Sequence, residues 1–280
     1  MRIRIIDAFA DRPFAGNPAG VCLLDAGPWP DKAWMRQVAA ELRHETAFAR
    51  PLPDDDDADW ALRWFTPAAE SNLCGHATLA TAHALHTDRA VHTEHAMPLT
   101  VRFASNFGPL IARTRLDGSI SLDFPSAPTA ETPPPDGIAQ ALGARPEATH
   151  RTGALGDLLV TLADEVAVRS LKPDFTALAD VIHRNGIRGI IVTAAAAEPH
   201  SGYDFVSRYF APASGISEDP VTGSAHTALA PYWSHRLGRD TLTGLQASER
   251  TGLVHTAVHG NRVHLTGHAV TVLDGTLHQT

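Results

Sequence analysis

A chain of 280 residues, 44% hydrophobic and 19% charged, can build two medium-sized units with full cores and is too apolar for wholesale disorder. Its 23 basic and 31 acidic residues give a formal charge of −8 with no basic block, which argues against nucleic acid or an anionic membrane as a partner. No run of about 18 apolar residues occurs, Met1 to Asp7 interleaves charges where a signal peptide would be apolar, and two cysteines cannot make a disulfide framework, so a cytoplasmic protein is expected.

In chain order, a strand is predicted from Arg2 to Phe9. A Pro/Gly-rich loop, Asp11 to Gly20, and a short apolar run, Val21 to Leu24, follow. Trp34, Met35, Val38 and Leu42 recur at helical spacing, which predicts a helix over Asp31–Leu42. The chain then turns extended through Thr46–Ala49, so Glu45 stands where a helix hands over to a strand. Asp54 to Asp57 read as a solvated hairpin loop, because adjacent like charges repel and extend. Trp60–Phe65 is a strand leading to an Ala-rich helix that starts at Gly75. Strands at Leu99–Phe103 and Leu110–Leu116 lead to an Asp117-Gly118 turn and a further strand, Ser119–Phe124.

Pro125 to Pro135 holds five prolines and reads as a linker between halves. Beyond it come strands at Leu158–Leu162, Gly189–Thr193 and Tyr203–Phe210 and a helix over Phe175–Arg184. A second glycine-led helix starts at Gly223, with a kink expected at Pro231 and an end at Gly238. A hairpin around Gly260-Asn261 closes the chain. Residues 1–126 are expected to form one half and 127–267 the other, with a last strand at about 268–280 able to return to the first. Hairpins mixed with helices make the class α+β rather than a wound parallel sheet. Both glycine-led helices are apolar nearly all round, so each is expected to be buried inside a rolled sheet.

The halves repeat one another. Arg63-Trp64-Phe65-Thr66-Pro67-Ala68 returns 145 positions later as Arg208-Tyr209-Phe210-Ala211-Pro212-Ala213. Each copy runs into a glycine-led helix, Cys74-Gly75-His76-Ala77 in one and Thr222-Gly223-Ser224-Ala225 in the other. Two helix starts offer backbone N–H groups and positive dipole ends, which can hold a substrate carboxylate without Lys or Arg.

The proton carrier is sought beside those starts. Glu45 lies among apolar and small residues, and full burial would raise its pKa toward that of a general acid/base; the bland alternative is a surface or capping residue. Asp219, in a Ser-Glu-Asp-Pro loop, serves either the site or helix capping. His76 would act at the helix start as a neutral hydrogen-bond donor, or is one of sixteen ordinary histidines. Cys74 is either a thiolate activated by the helix end or a small buried hydrophobe, and Cys22 belongs to the core. No Cys/His spacing suggests a metal.

Four ordered blocks carry a family resemblance: Asp7-Ala8-Phe9 with Arg12-Pro13-Phe14-Ala15-Gly16-Asn17-Pro18-Ala19; Glu45-Thr46-Ala47-Phe48; Leu73-Cys74-Gly75-His76-Ala77-Thr78-Leu79-Ala80; and Glu218-Asp219-Pro220-Val221-Thr222-Gly223-Ser224-Ala225-His226. Together with the closing run Gly260 to Gly267, they resemble the PhzF-type phenazine-biosynthesis isomerase family. The resemblance implies a diaminopimelate epimerase-like fold of two pseudo-symmetric halves, each a mixed, mostly antiparallel sheet rolled around a central helix, with the active site in the cleft. It implies a cofactor-independent isomerase acting on a small carboxylate-bearing molecule, usually as a homodimer. Glu45 falls on the family's proton-shuttling glutamate, and His76 and Asp219 on residues that orient substrate. Gly75, Gly223 and Ser224 fall on the backbone donors for its carboxylate, with Cys74 beside them.

Three departures from the family pattern stand out. The approach Glu41-Leu42-Arg43-His44-Glu45 is one residue short. Thr251 stands where the family often has glycine. Cys74 matches the first thiol of two-cysteine epimerases, but the second half has no cysteine, so a two-thiol racemase mechanism is closed to this chain. An epimerase or racemase using Glu45 or Cys74 against Asp219, and a non-catalytic metabolite-binding protein, remain as alternatives.

Overall fold

Strand residues alternate between two buried faces, and that alternation builds the fold. The computed structural model describes residues 1–92, 98–198 and 202–278. Among them, Leu158, Val160, Ile190 and Val192 join one apolar cluster, while their neighbours Leu159 and Ile191 join another on the opposite face. A sheet buried on both sides needs such near-continuous apolar strands.

The chain divides into two units, Met1–Asp123 with Thr266–Thr280, and Phe124–Leu265. In the first, the strand Ala269–Thr276 pairs with Arg2–Ala8, followed in order by Asn17–Leu23, Thr46–Pro51, Trp60–Phe65, Thr100–Ala104 and Leu110–Thr114. In the second, the order is Ala148–Arg151, Leu158–Thr161, Ile190–Ala195, Phe205–Ala211, Thr241–Gln246 and Gly252–His259. From Arg2–Ala8 in one unit and Ala148–Arg151 in the other, successive pairings run antiparallel, parallel, antiparallel, parallel, antiparallel. The sequence repeat is thus one motif within a repeated topology.

Parallel neighbours need crossovers, and helices supply them. In the first unit these are α1 (Lys32–Leu42) and α2 (Gly75–His92). In the second, α3 (Ile138–Leu142) precedes the sheet crossovers, which carry α4 (Glu165–Ser170), α5 (Phe175–Arg184) and α6 (Gly223–Leu237). The glycine-led helices α2 and α6 are the buried ones. Ala77, Thr78, Leu79, Ala80, Thr81, Ala82 and Ala84 of α2 have essentially no accessible surface, nor do Ala228, Leu229 and Ala230 of α6. Small side chains let the enclosing strands approach the helix axis closely. The outer helices cover the other face: α1 contributes Met35, Val38 and Ala39 to a cluster with Ile3, Cys22, Phe48 and Phe65.

Helix ends follow the expected chemistry. The Asp31 carboxylate accepts from the Ala33 N–H at the start of α1 (2.7 Å), and Gly238 closes α6 at φ 65°. α6 continues through Pro231, and α5 has the span its apolar spacing predicts. The proline-rich stretch holds a two-residue strand, Ala130–Glu131, paired with His150 and Arg151. The carboxylate of Asp55, within the acidic run, accepts from the N–H groups of Asp57 and Ala58 in an exposed loop. No helix among the described residues is long and apolar enough to cross a membrane.

The two Arg residues that open the repeat have matching tasks. Arg63 donates from Nε and Nη2 to both carboxylate oxygens of Glu70 (2.6 and 2.8 Å). Arg208 grips Glu218 in the same way (2.7 and 2.8 Å). Each fork fixes the strand that returns beside it, just before a glycine-led helix.

Candidate active site

In the first unit, three segments distant in sequence bring four polar side chains together. α1 ends at Arg43, which takes a left-handed φ of 56° and turns the chain back. Two residues later the Glu45 carbonyl accepts from the Gly20 N–H (2.9 Å), so the glutamate rises from a fixed base before the strand Thr46–Pro51. The short approach therefore ends its helix on a non-glycine left-handed residue. Cys74 caps α2: its carbonyl accepts from the Thr78 N–H (3.1 Å) and hydroxyl (2.7 Å). His76 sits in the first turn. Asn17 starts the second strand, behind Gly16, whose φ is 65° and where an added Cβ would lie 2.2 Å from the Ala8 carbonyl oxygen; only glycine fits that turn.

The Cys74 thiol donates to Glu45 Oε2 at 3.2 Å, and His76 Nε2 lies 3.5 Å from the same oxygen. Asn17 Nδ2 lies 3.3 Å from His76 Nδ1. With that amide N–H donating to Nδ1, the ring proton is on Nε2 and faces Glu45. Cys74 and His76 are buried, whereas the Glu45 side chain keeps 24% of its exposure. The full burial considered from sequence is therefore not reached, and one edge of the carboxylate stays open to solvent. The first N–H groups of α2 lie beside it without intrahelical partners, a setting suited to negative charge.

The second unit has its own cluster at the start of α6. Thr222 is the N-cap, but its hydroxyl donates to Asp219 Oδ2 (2.5 Å) rather than capping the helix. The N-cap position itself belongs to Thr222, three residues beyond Asp219. Buried Gln246 accepts from the Thr222 N–H (2.8 Å) and donates to the Asp219 carbonyl (2.7 Å), locking the loop. Ser224 Oγ accepts from Arg188 Nη2 (3.1 Å), and Arg188 forks onto Asp157 (2.9 and 2.5 Å). Tyr209 also donates to Asp157 (3.1 Å), reaching it past Gly189, where a Cβ would meet the Tyr209 hydroxyl at 2.2 Å. Burial pushes the Asp157 carboxyl above the ordinary range against the opposing pull of Arg188.

Residues 6–275 match the family described as phenazine biosynthesis-like protein, PhzC-PhzF. The chain belongs to the PhzF family. A protein named as an uncharacterised isomerase from Pseudomonas aeruginosa is 43% identical over 274 residues, 98% of this chain and 97% of that one. A crystal structure of a PhzF-family phenazine biosynthesis protein from Enterococcus faecalis superposes with a TM-score of 0.86 at 38% identity, over 99% of each chain. A hydroxyproline epimerase from Agrobacterium vitis shares the fold alone, with a TM-score of 0.65 and 12% identity over 98% of this chain and 91% of that one. The α+β class read from the mixture of hairpins and helices, and the epimerase-like fold implied by the resemblance, are those of PhzF proteins.

Within this PhzF-family chain the sequence reading missed Asn17, Asp157, Arg188 and Gln246. Arg188 brings a guanidinium to the Ser224 hydroxyl at the start of α6. The sequence trace of that contact is slight, an arginine between Ile187 and Gly189 at the entry to a buried strand. Cys74, read as thiolate or core filler, is buried but touches Glu45 and both ring nitrogens of His76 (3.5 and 3.8 Å).

Proposed function

We propose that this protein is a cofactor-independent isomerase in which Glu45 takes an acidic C–H proton from a small carboxylate-bearing molecule and returns it at another carbon. The observation that carries the reading is the meeting of Glu45 Oε2 with the Cys74 thiol and the His76 ring at the start of α2. A general base needs a fixed position, access to substrate and donors that stabilise its charged form. Here the backbone anchor to Gly20 supplies the first, the open edge the second, and Cys74 and His76 the third. As the proton leaves carbon, negative charge spreads onto the substrate carboxylate, and the N–H groups of Gly75 and its neighbours are donors placed for such charge. Asp219, Gly223 and Ser224 are assigned to substrate positioning, with Arg188 fixing the Ser224 hydroxyl. Relatives named as isomerases agree with the reaction class.

The rival is an epimerase, favoured by the thiol lying against Glu45. Both readings are tested by incubating the enzyme with a panel of cyclic and amino-acid-like carboxylates in deuterated water. Isomerisation gives a new product with its proton moved between carbons. Epimerisation labels the one stereocentre it scrambles. A Glu45→Gln enzyme that converts its substrate at the wild-type rate would remove the isomerase reading and leave only an epimerase that works through Cys74.

A further inference from the structure

The candidate acid/base cluster has a second chemical identity. Glu45 Oε2, Cys74 Sγ and a His76 ring nitrogen all lie within 4.8 Å of one another. Sulfur to oxygen is 3.2 Å, and His76 Nε2 lies 3.5 Å from the oxygen and 3.8 Å from the sulfur. A tetrahedral zinc ion bonded at about 2.3 Å to sulfur and about 2.0–2.1 Å to nitrogen and oxygen requires ligand separations of roughly 3.3–3.6 Å. The three atoms therefore already stand near the edge lengths of a zinc coordination face.

The donor set selects the ion. Thiolate and imidazole favour zinc-class cations, whereas magnesium and calcium demand oxygen. Each ligand has a rigid base: the cap and first turn of α2 for Cys74 and His76, and the Gly20 anchor for Glu45. Asn17 supplies the outer shell. A half-turn of its amide presents Oδ1 to His76 Nδ1–H and frees Nε2 for the metal. Three protein ligands leave a fourth position open.

We propose that Glu45, Cys74 and His76 form a binding site for Zn²⁺ or a similar thiophilic divalent cation, and that its occupancy switches the enzyme off. On binding, the Cys74 S–H bond breaks, an S–Zn bond forms and the proton passes to solvent. The Oε2 lone pair becomes committed to the metal and can no longer accept a substrate proton. This inhibitory half rests on the role of Glu45 proposed above; the binding half does not. Cys/His spacing gave no sign of the site, because Glu45 joins the other two ligands from 29 positions away.

Titration of the metal-free protein with Co²⁺ followed by competition with Zn²⁺ tests the binding half. A single site with a thiolate-to-cobalt charge-transfer band is expected, displaced by Zn²⁺. The band should vanish in Cys74→Ser, and Zn²⁺ affinity should fall by more than about tenfold there and in Glu45→Gln, since even outer-shell partners are worth roughly 10–100-fold. The only other thiol, Cys22, is fully buried, so it cannot supply the band in a folded protein. Thermal melts of both variants without metal establish that they are folded. Absence of the band, or equal affinity in wild type and Cys74→Ser, overturns the site. Wild-type turnover with stoichiometric Zn²⁺ bound overturns the inhibition. If the metal-free enzyme moves no proton on any carboxylate while the band is present, the proposed reaction has failed and the metal site stands.

Discussion

Glu45, Cys74 and His76 share one carboxylate oxygen, so substitutions at the thiol report on how the three divide the chemistry. If Cys74 only donates a hydrogen bond to Glu45, Cys74→Ser keeps a donor and should retain activity within about tenfold. A loss of 10²-fold or more in steady-state kinetics would instead make the sulfur itself a reacting group. A second residue-scale prediction concerns His226, which is fully buried in α6, donates from Nδ1 to the Thr222 carbonyl (2.9 Å) and has no partner for Nε2 among the described residues. Burial pulls its pKa from 6.5 down to about 4, and burial does the same to His83. Between those values the unfolded chain binds more protons than the folded one, so stability is full above pH 6.5 and declines as pH falls toward 4. His226 alone should account for a loss of about 2 kcal/mol at pH 5 relative to neutral pH. Urea midpoints at the two pH values should therefore separate less in His226→Gln than in wild type, and equal separations would contradict the assignment. Glu45 and His76 could be picked out as single letters because each adjoins a helix start or helix end. Asn17 and Arg188 could not, since their importance comes from partners 59 and 36 positions away.

Elements were legible where periodicity and end signals agreed. The span Phe175–Arg184 shows both: apolar residues at helical spacing, and an Asp174 carboxylate that caps the Thr176 and Ala177 N–H groups. In the proline-rich stretch, prolines mark a break without saying whether the residues between them pair; Ala130 and Glu131 do. Thr251 shows the reverse, a residue whose oddity could be flagged before its cause was visible. It adopts φ 55°, a left-handed conformation that a β-branched residue tolerates poorly, while its N–H is tied to Ser248 Oγ (3.2 Å) and Ser248 to the Pro220 carbonyl (2.7 Å). The loop holds the segment before α6 in place at the expense of local strain. Strain of about 1–3 kcal/mol, less the roughly 0.5–1 kcal/mol that glycine adds to unfolded-state entropy, leaves Thr251→Gly more stable by about 1 kcal/mol. Chemical denaturation measures this directly, and a destabilised Thr251→Gly would show that the threonine side chain earns its place by packing.

For the whole molecule, the duplicated motif is the feature that made the fold readable. One hexapeptide and one glycine-led helix, each occurring twice, predicted two similar halves, and the two units share the same order of five strand pairings. Duplication also divides the chemistry unevenly. Both units keep a buried helix led by a glycine, and both clamp the preceding strand with an Arg–Glu fork. Among the described residues, only the first sets a carboxylate, a thiol and an imidazole at that place, while the second sets a hydroxyl that accepts from an exposed Arg188 anchored on buried Asp157. No periodicity in the sequence encodes such convergence, because it follows from sheet order rather than from local pattern. The central claim, that Glu45 carries the proton, is tested most directly by following wild type and Glu45→Gln by NMR with a converted carboxylate in deuterated water. The account predicts that wild type forms product whose receiving carbon carries the proton taken from the substrate rather than deuterium, while Glu45→Gln remains folded and loses turnover by about 10²–10⁴-fold. Unchanged turnover and labelling in Glu45→Gln would contradict it.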